Sequence, residues 1–126
     1  MSSNKRHNYK NLKIWQLGIE IANDISDVLI DFPKHERYDL SSQISRCSVS
    51  MPSNIAEGSS RTDKSFSHFL DISVGSSFEL ITQLIVAKHR KYIIETTFQK
   101  LEFKIEEFQR MTMSFQNGVL NHKLCK

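Results

Sequence analysis

Breakers are scarce in this chain: 126 residues include only 4 glycines and 2 prolines, against average usage of roughly 7% and 5%. Long uninterrupted elements follow, and apolar residues recurring every three to four positions make those elements helices. Cysteine is nearly missing too. Cys47 and Cys125 belong to no CxxC pair and no Cys/His cluster, which argues against a disulfide framework or structural zinc and suits a reducing compartment. Cys47 falls on an apolar face and reads as a small buried thiol, whereas Cys125 sits in a polar tail. The opening MSSNKRHNYK is basic but has no apolar stretch, so it does not read as a secretory signal. No uninterrupted apolar run approaches the roughly 18 residues of a membrane span. A cytoplasmic protein with no membrane partner is expected.

Catalytic signatures are also missing. No HExxH, GxSxG, P-loop or dinucleotide fingerprint occurs. The segment EGSSRTDKS, residues 57–65, lacks the GxxxxGK spacing and follows no strand pattern, so it reads as a turn between helices. His7, His35, His68, His89 and His122 are scattered over tails, loops and polar faces. His68 and Asp71 stand three apart on one helix, at best half of a metal site, and no Glu-x-x-His repeat of carboxylate-bridged bundles is present. The expectation is a protein that is not an enzyme and holds no metal or cofactor.

Four helical patterns are present. The first covers about residues 12–32, with one stripe at Trp15, Gly18, Ala22, Ile25, Leu29 and Phe32 and a second at Ile14, Leu17, Ile21 and Val28; Pro33 closes it. Asp39 is a good N-cap for the second, whose inward residues are Leu40, Ile44, Cys47, Met51, Ile55 and Gly58. The third follows Asp63, another N-cap candidate, and buries Phe66, Leu70, Ser73, Ser77, Leu80, Leu84 and Ala87 beside a neighbouring stripe, Val74, Phe78, Ile81 and Ile85. The fourth starts at a Thr96/Gln99 capping box, shows Phe98, Leu101, Ile105, Phe108, Met111 and Phe115, and should stop at Asn117-Gly118. Short connections make neighbours antiparallel. The predicted fold class is all-α: an antiparallel up-and-down four-helix bundle over residues 11–118, with a basic arm at 1–10 and a tail at 119–126.

The first and third helices carry more apolar surface than the roughly 100° arc a bundle helix needs. Wide packing inside one chain would absorb it, or a subunit interface would. The interface is the favoured reading, with Val74, Phe78, Ile81, Ile85, Ile14, Leu17 and Ile21 as its candidates and a homo-oligomer as the outcome.

SVSMPSNIAEGSSR, residues 48–61, interrupts the second helix with Pro52 amid small residues. Proline removes a donor and crowds the carbonyl of Ser48; Ser48, Ser50, Ser53 and Ala56 let another backbone come close. The stretch reads as a packing device, with Glu57 and Arg61 as a helical ion pair. Together with the preceding residues it resembles the signature of the 23S rRNA intervening sequence family, E-R-Y-x-L-x-x-Q-L-R-R-A-A-x-S-I-P-x-N-I-A-E-G-x-x-R. Glu36, Arg37, Tyr38, Leu40, Gln43, Arg46, Ser50, Pro52, Asn54, Ile55, Ala56, Glu57, Gly58 and Arg61 match it, and Phe69, Leu70, Gly75, Ser76, Glu79 and Leu80 match the family's third helix. The family's paired arginines stand here as Ser45-Arg46, and its next alanine as Cys47. The resemblance covers about residues 9–118. It implies a ring-like homopentamer of four-helix bundles. Some members are encoded within insertions in bacterial 23S rRNA genes, and a related branch resembles the accessory protein of diversity-generating retroelements, which binds reverse transcriptase and nucleic acid.

Charge is modest but uneven. The formal net charge is +3. Residues 1–13 carry Lys5, Arg6, Lys10 and Lys13 with no acid, while residues 14–40 hold six acids and two bases. The basic arm is either a phosphate contact or a solvated tail. Candidate nucleic-acid contacts are Lys10, Lys13, Arg46, Arg61, Lys64, Lys88, Arg90 and Lys91, gathered at the bundle ends. Two readings stand: an oligomeric scaffold binding RNA, DNA or a nucleic-acid-processing enzyme such as a reverse transcriptase, or a protein-only assembly module whose acidic first helix (Glu20, Asp24, Asp27, Asp31) meets a polypeptide.

Overall fold

The computed structural model describes residues 8–124, with side chains through residue 121. Lys5, Arg6, His7 and Cys125, and the side chain of His122, lie outside the described residues. Four helices follow in order: α1 (Lys13–Leu29), α2 (Leu40–Ser59), α3 (Asp63–His89) and α4 (Glu95–Leu124). Short 3-10 turns at Tyr9–Asn11 and Lys34–Glu36 precede α1 and α2.

The helix ends show where local signals win and where packing overrides them. α1 finishes three residues before Phe32, because the chain tightens into i→i+3 turns ahead of Pro33, with Phe32 N donating to Leu29 O at 3.1 Å. Thr62, not Asp63, caps α3, its hydroxyl accepting from Ser65 N at 3.3 Å. Asp39 precedes α2 but accepts from the Gln43 side chain at 3.3 Å instead of a backbone N–H. α4 starts one residue early, and Gln99 reaches the Glu95 carboxylate at 3.0 Å rather than closing a box with Thr96. It also runs straight through the expected stop. Gly118 adopts no positive φ, and Val119 is buried against the core, so the residues expected as a tail continue the helix to Leu124.

Each helix packs on its chain neighbours and α1 closes against α4. Contacts run antiparallel: Ser50 bonds Ser76 and Ser73 bonds the carbonyl of Met51, and Gln116 of α4 bonds Ser67 near the start of α3. All six inward residues read for α2 and all seven read for α3 are buried. Phe66 and Phe108 are fully enclosed, each contributing about 2–3 kcal/mol of apolar transfer.

The two stripes of α1 resolve differently from the expectation. Its core residues are Ile14, Gly18, Ile21 and Ile25, the seam between the stripes. Ile14 and Ile21, at 3% and 0% exposure, therefore fill this chain's own core and are not free to meet another subunit; Leu17 is half-buried. On α3 the surplus is real: Phe78 and Ile85 are each 49% exposed, and Val74 and Ile81 half-buried. By length and composition alone α3 is apolar enough to cross a membrane, although its inner stripe is sealed between α2 and α4.

α2 passes through Pro52 without a break, and the small residues around it bring neighbours close. A Cβ on Gly18 would lie 3.2 Å from Pro52 Cβ and 3.4 Å from Phe108 Cε1. On Gly58 it would lie 2.7 Å from Phe69 Cβ and 2.8 Å from Phe66 Cδ1. Phe69 Cβ is fixed to its backbone and cannot yield. Gly58→Ala should therefore lower stability by about 1–3 kcal/mol in denaturant melts, despite alanine's helix propensity. Gly118→Ala, with nothing within 4 Å of the added carbon, should raise stability by up to about 1 kcal/mol.

Candidate nucleic-acid interface

The cations at the bundle ends fall into three groups by what already holds them. At the α3–α4 end, Arg90 Nη1 donates to Glu36 Oε2 at 2.8 Å, and Tyr92 donates its hydroxyl to the same oxygen at 2.8 Å. The Tyr92 ring packs on Phe32 at 5.3 Å. The turn supplying these groups is a Schellman motif: Tyr92 N donates to Ala87 O, Lys91 N donates to Lys88 O, and Lys91 sits at φ 66°. Glu36 is only 4% exposed, so removing Arg90 strips a buried carboxylate of its countercharge, a strongly unfavourable state. Arg90 is a structural cation.

Arg61 and Lys88 are held more loosely. Arg61 pairs with Glu57 at 3.0 Å and lies over the Phe69 ring at 5.0 Å, and Lys88 pairs with Glu95 at 3.2 Å over Phe98 at 4.4 Å. Exposed pairs of this kind contribute about 0–1 kcal/mol, so both are able to exchange a carboxylate for another anion.

The remaining candidates, Lys10, Lys13, Arg46, Lys64 and Lys91, have no ion-pair partner among the described residues. Lys13 faces a groove of about 550 Å³ between the start of α1 and α4, lined also by Asn11, Leu12, Arg110, Met111, Ser114 and Phe115. The groove has two cations and no carboxylate. Arg110 went unremarked in the sequence because Glu106 and Glu107 precede it on the same helix, which reads as a solvated face; only the antiparallel register of α4 on α1 brings it to Lys13. Arg46 lies elsewhere, midway along the α2–α3 seam, so the candidates do not converge on one surface.

The acidic face of α1 is partly neutralised within the chain. Lys104 of α4 meets Glu20 Oε2 at 2.5 Å and Asp24 Oδ2 at 2.6 Å, and the bonds to Asp24 and then Glu20 raise its pKa. His68 and Asp71 point to different partners: Asp71 accepts from Gln116 Nε2 at 2.6 Å, and His68 stacks edge-on to Phe69. Among the described residues no cluster of His, Cys, Asp and Glu is arranged to hold a metal. Cys47 is buried, and desolvation followed by the adjacent Glu79 carboxylate pushes its thiol up to about 11, leaving almost no thiolate near neutral pH.

Fold and site together define an all-α protein of four antiparallel helices. The profile of the 23S rRNA-intervening sequence protein family matches residues 10–114, and the chain belongs to that family. A crystal structure of a protein of unknown function from the S23 ribosomal protein family of Bacteroides thetaiotaomicron superposes with a TM-score of 0.76 at 19% identity, covering 82% of this chain and 95% of that one. At that identity the likeness concerns the fold. No curated protein matches the chain.

Glu36 gives a pH test of the end cap. Its pKa is lowered from 4.5, first by the Tyr92 hydrogen bond, then by Arg90 against the opposing effect of burial. The depressed folded pKa means the contribution is complete above about 4.5 and fades as pH falls through the folded value. Wild-type protein should lose thermal stability as pH falls below about 4.5. Glu36→Gln should start lower and lose less over the same fall in parallel melts.

Proposed function

We propose that this chain is a non-enzymatic scaffold that assembles into a ring-like homo-oligomer and binds nucleic acid through the groove at the start of α1. The observation that carries this reading is the pairing of Lys13 with Arg110 in one groove without a carboxylate. Lys10 stands exposed just before it, and Lys64, at the start of α3, belongs to the same end by the alternating topology. Phosphates are attracted by such unpaired cations, and each contact adds about 0.7 to the salt slope for single strands or 0.9 for duplex DNA. A net charge of +3 is small for one chain, but symmetry repeats each cation around a ring. The half-exposed Phe78 and Ile85 favour assembly, since a monomer gains nothing from them. A pentamer, as the family resemblance implies, is the ring size we adopt. A nucleic-acid-processing enzyme, such as a reverse transcriptase, is a compatible further partner.

A polypeptide-only partner is the second reading. Phe103 is 66% exposed and lines a groove of about 700 Å³ with Asp24, Asp27, Val28 and Lys104, a mixture suited to a helix or loop of another protein.

Lys13→Ala combined with Arg110→Ala should weaken binding to structured RNA and lower the salt slope, with the oligomer mass unchanged. RNA binding that is insensitive to both substitutions would remove the groove from the interface. No binding at low salt would leave the polypeptide reading. Phe78→Asp should yield a folded, smaller species in light scattering, because Phe78 is half-exposed within the monomer; an unchanged mass would take this stripe out of the interface.

A further inference from the structure

The α2–α3 seam runs along the flank of the bundle away from the basic groove. There Gln43, Arg46, Cys47, Ser50, Ser76, Glu79 and Gln83 line a depression of about 380 Å³, within the size range of small-ligand sites. Two features need an explanation that packing does not supply. Arg46 and Glu79 line the same depression, yet neither forms an ion pair among the described residues. Arg46 is left without a carboxylate, while Glu79 has the neutral Cys47 thiol beside it and no cation. Gln83 is also buried to 9% exposure, and its Oε1 has no hydrogen-bond partner, an unfavourable state for a neutral amide. The terminal torsion of glutamine is broad and roughly two-fold, so that acceptor is able to turn toward the depression without moving α3.

The walls are chemically distinct. α3 offers acceptors, the Glu79 carboxylate and the Gln83 carbonyl oxygen. α2 offers the Arg46 guanidinium; the Gln43 amide already donates to Asp39 at 3.3 Å, and the Ser50 and Ser76 hydroxyls occupy each other at 2.9 Å. A complementary group is flat, carries an N–H₂ donor at one end and has acceptors beside it. The Watson–Crick edges of cytosine and adenine have that order: an exocyclic amino group, then a ring nitrogen acceptor, with a carbonyl beyond it in cytosine. Uracil puts a carbonyl where the amino group is needed, facing a carboxylate. Sequence-specific RNA contact works on such unstacked bases through their exposed edges.

We infer that the α2–α3 depression reads an unpaired amino-bearing base of a bound strand, with Glu79 and Gln83 accepting from the exocyclic amino group and Arg46 donating to the neighbouring ring nitrogen. This rests on the nucleic-acid reading above and adds base preference to it. The phosphate groove supplies sequence-independent attraction, and the depression supplies discrimination.

The test is fluorescence anisotropy of the full chain with labelled 15-nucleotide oligo(rC) and oligo(rU) at matched salt. Wild-type protein should bind oligo(rC) roughly tenfold more tightly, the low end of a good bidentate base contact. Gln83→Leu and, separately, Glu79→Gln should shrink that preference towards unity while oligo(rU) binding stays unchanged. Circular dichroism melts and oligomer mass check that each variant is folded. Equal binding of the two oligonucleotides by wild-type protein overturns the inference and leaves the depression to a polypeptide side chain, without touching the phosphate groove. Loss of oligo(rU) binding in the folded variants also overturns it, since the depression would then act on the backbone. Failure of both oligonucleotides to bind also overturns it, while the phosphate groove is decided separately by the structured RNA. The wild-type comparison decides even if a variant does not fold.

Discussion

The structure depends on how closely α2 approaches its neighbours around Pro52. Gly18 of α1 accommodates the proline ring, where an added carbon would lie a tight 3.2 Å from Pro52 Cβ, and Gly58 accommodates Phe66 and Phe69 of α3. Serine replaces larger apolar residues along the seam, and its hydroxyls are satisfied locally. Ser73 bonds the Met51 carbonyl at 2.7 Å, and Ser48, Ser59 and Ser77 each donate to a carbonyl three residues back. A buried hydroxyl with a partner adds stability where an orphaned one would subtract it. Asn54 fixes the solvent side by bonding both the carbonyl and the hydroxyl of Ser50. The motif read as a packing device is built for proximity.

That proximity dictates what the rest of the chain has to do. α2 and α3 share the largest contact of the bundle, while on the outer side of α3 Phe78 and Ile85 remain half-exposed. The ends are closed by polar chemistry instead. Glu36, Arg90 and Tyr92 tie the α1–α2 connection to the α3–α4 turn, and Gln116 ties α4 to the start of α3 through Ser67 and Asp71. Cations committed to these ties are lost to ligands, and those left over, Lys13 and Arg110 above all, mark the surface that still has charge to offer.

Most of the fold was legible in the sequence. The inner stripes of α2 and α3 were read without error because helical periodicity and burial coincide there. The boundaries were less secure: Gly118 is a stop signal locally, but Val119 finds the core and the helix continues. α1 was misread in one respect. Two adjacent apolar stripes suggested a second face, whereas the core takes the seam between them and encloses Ile14 and Ile21. The candidate site was legible only in part, since a list of cations says nothing of which carboxylates they meet. Arg90 and Glu36 are 54 residues apart in the chain, and no local spacing links them. Arg110 and Lys13 share a groove for the same tertiary reason.

In the proposed function one assembly both oligomerises and carries nucleic acid. Sedimentation velocity of the purified protein with a labelled structured RNA at physiological salt tests both halves at once. We expect the RNA label to move in a single boundary with a protein species several times the 14.6 kDa chain mass. RNA and a 14.6 kDa monomer sedimenting in separate boundaries would contradict the account.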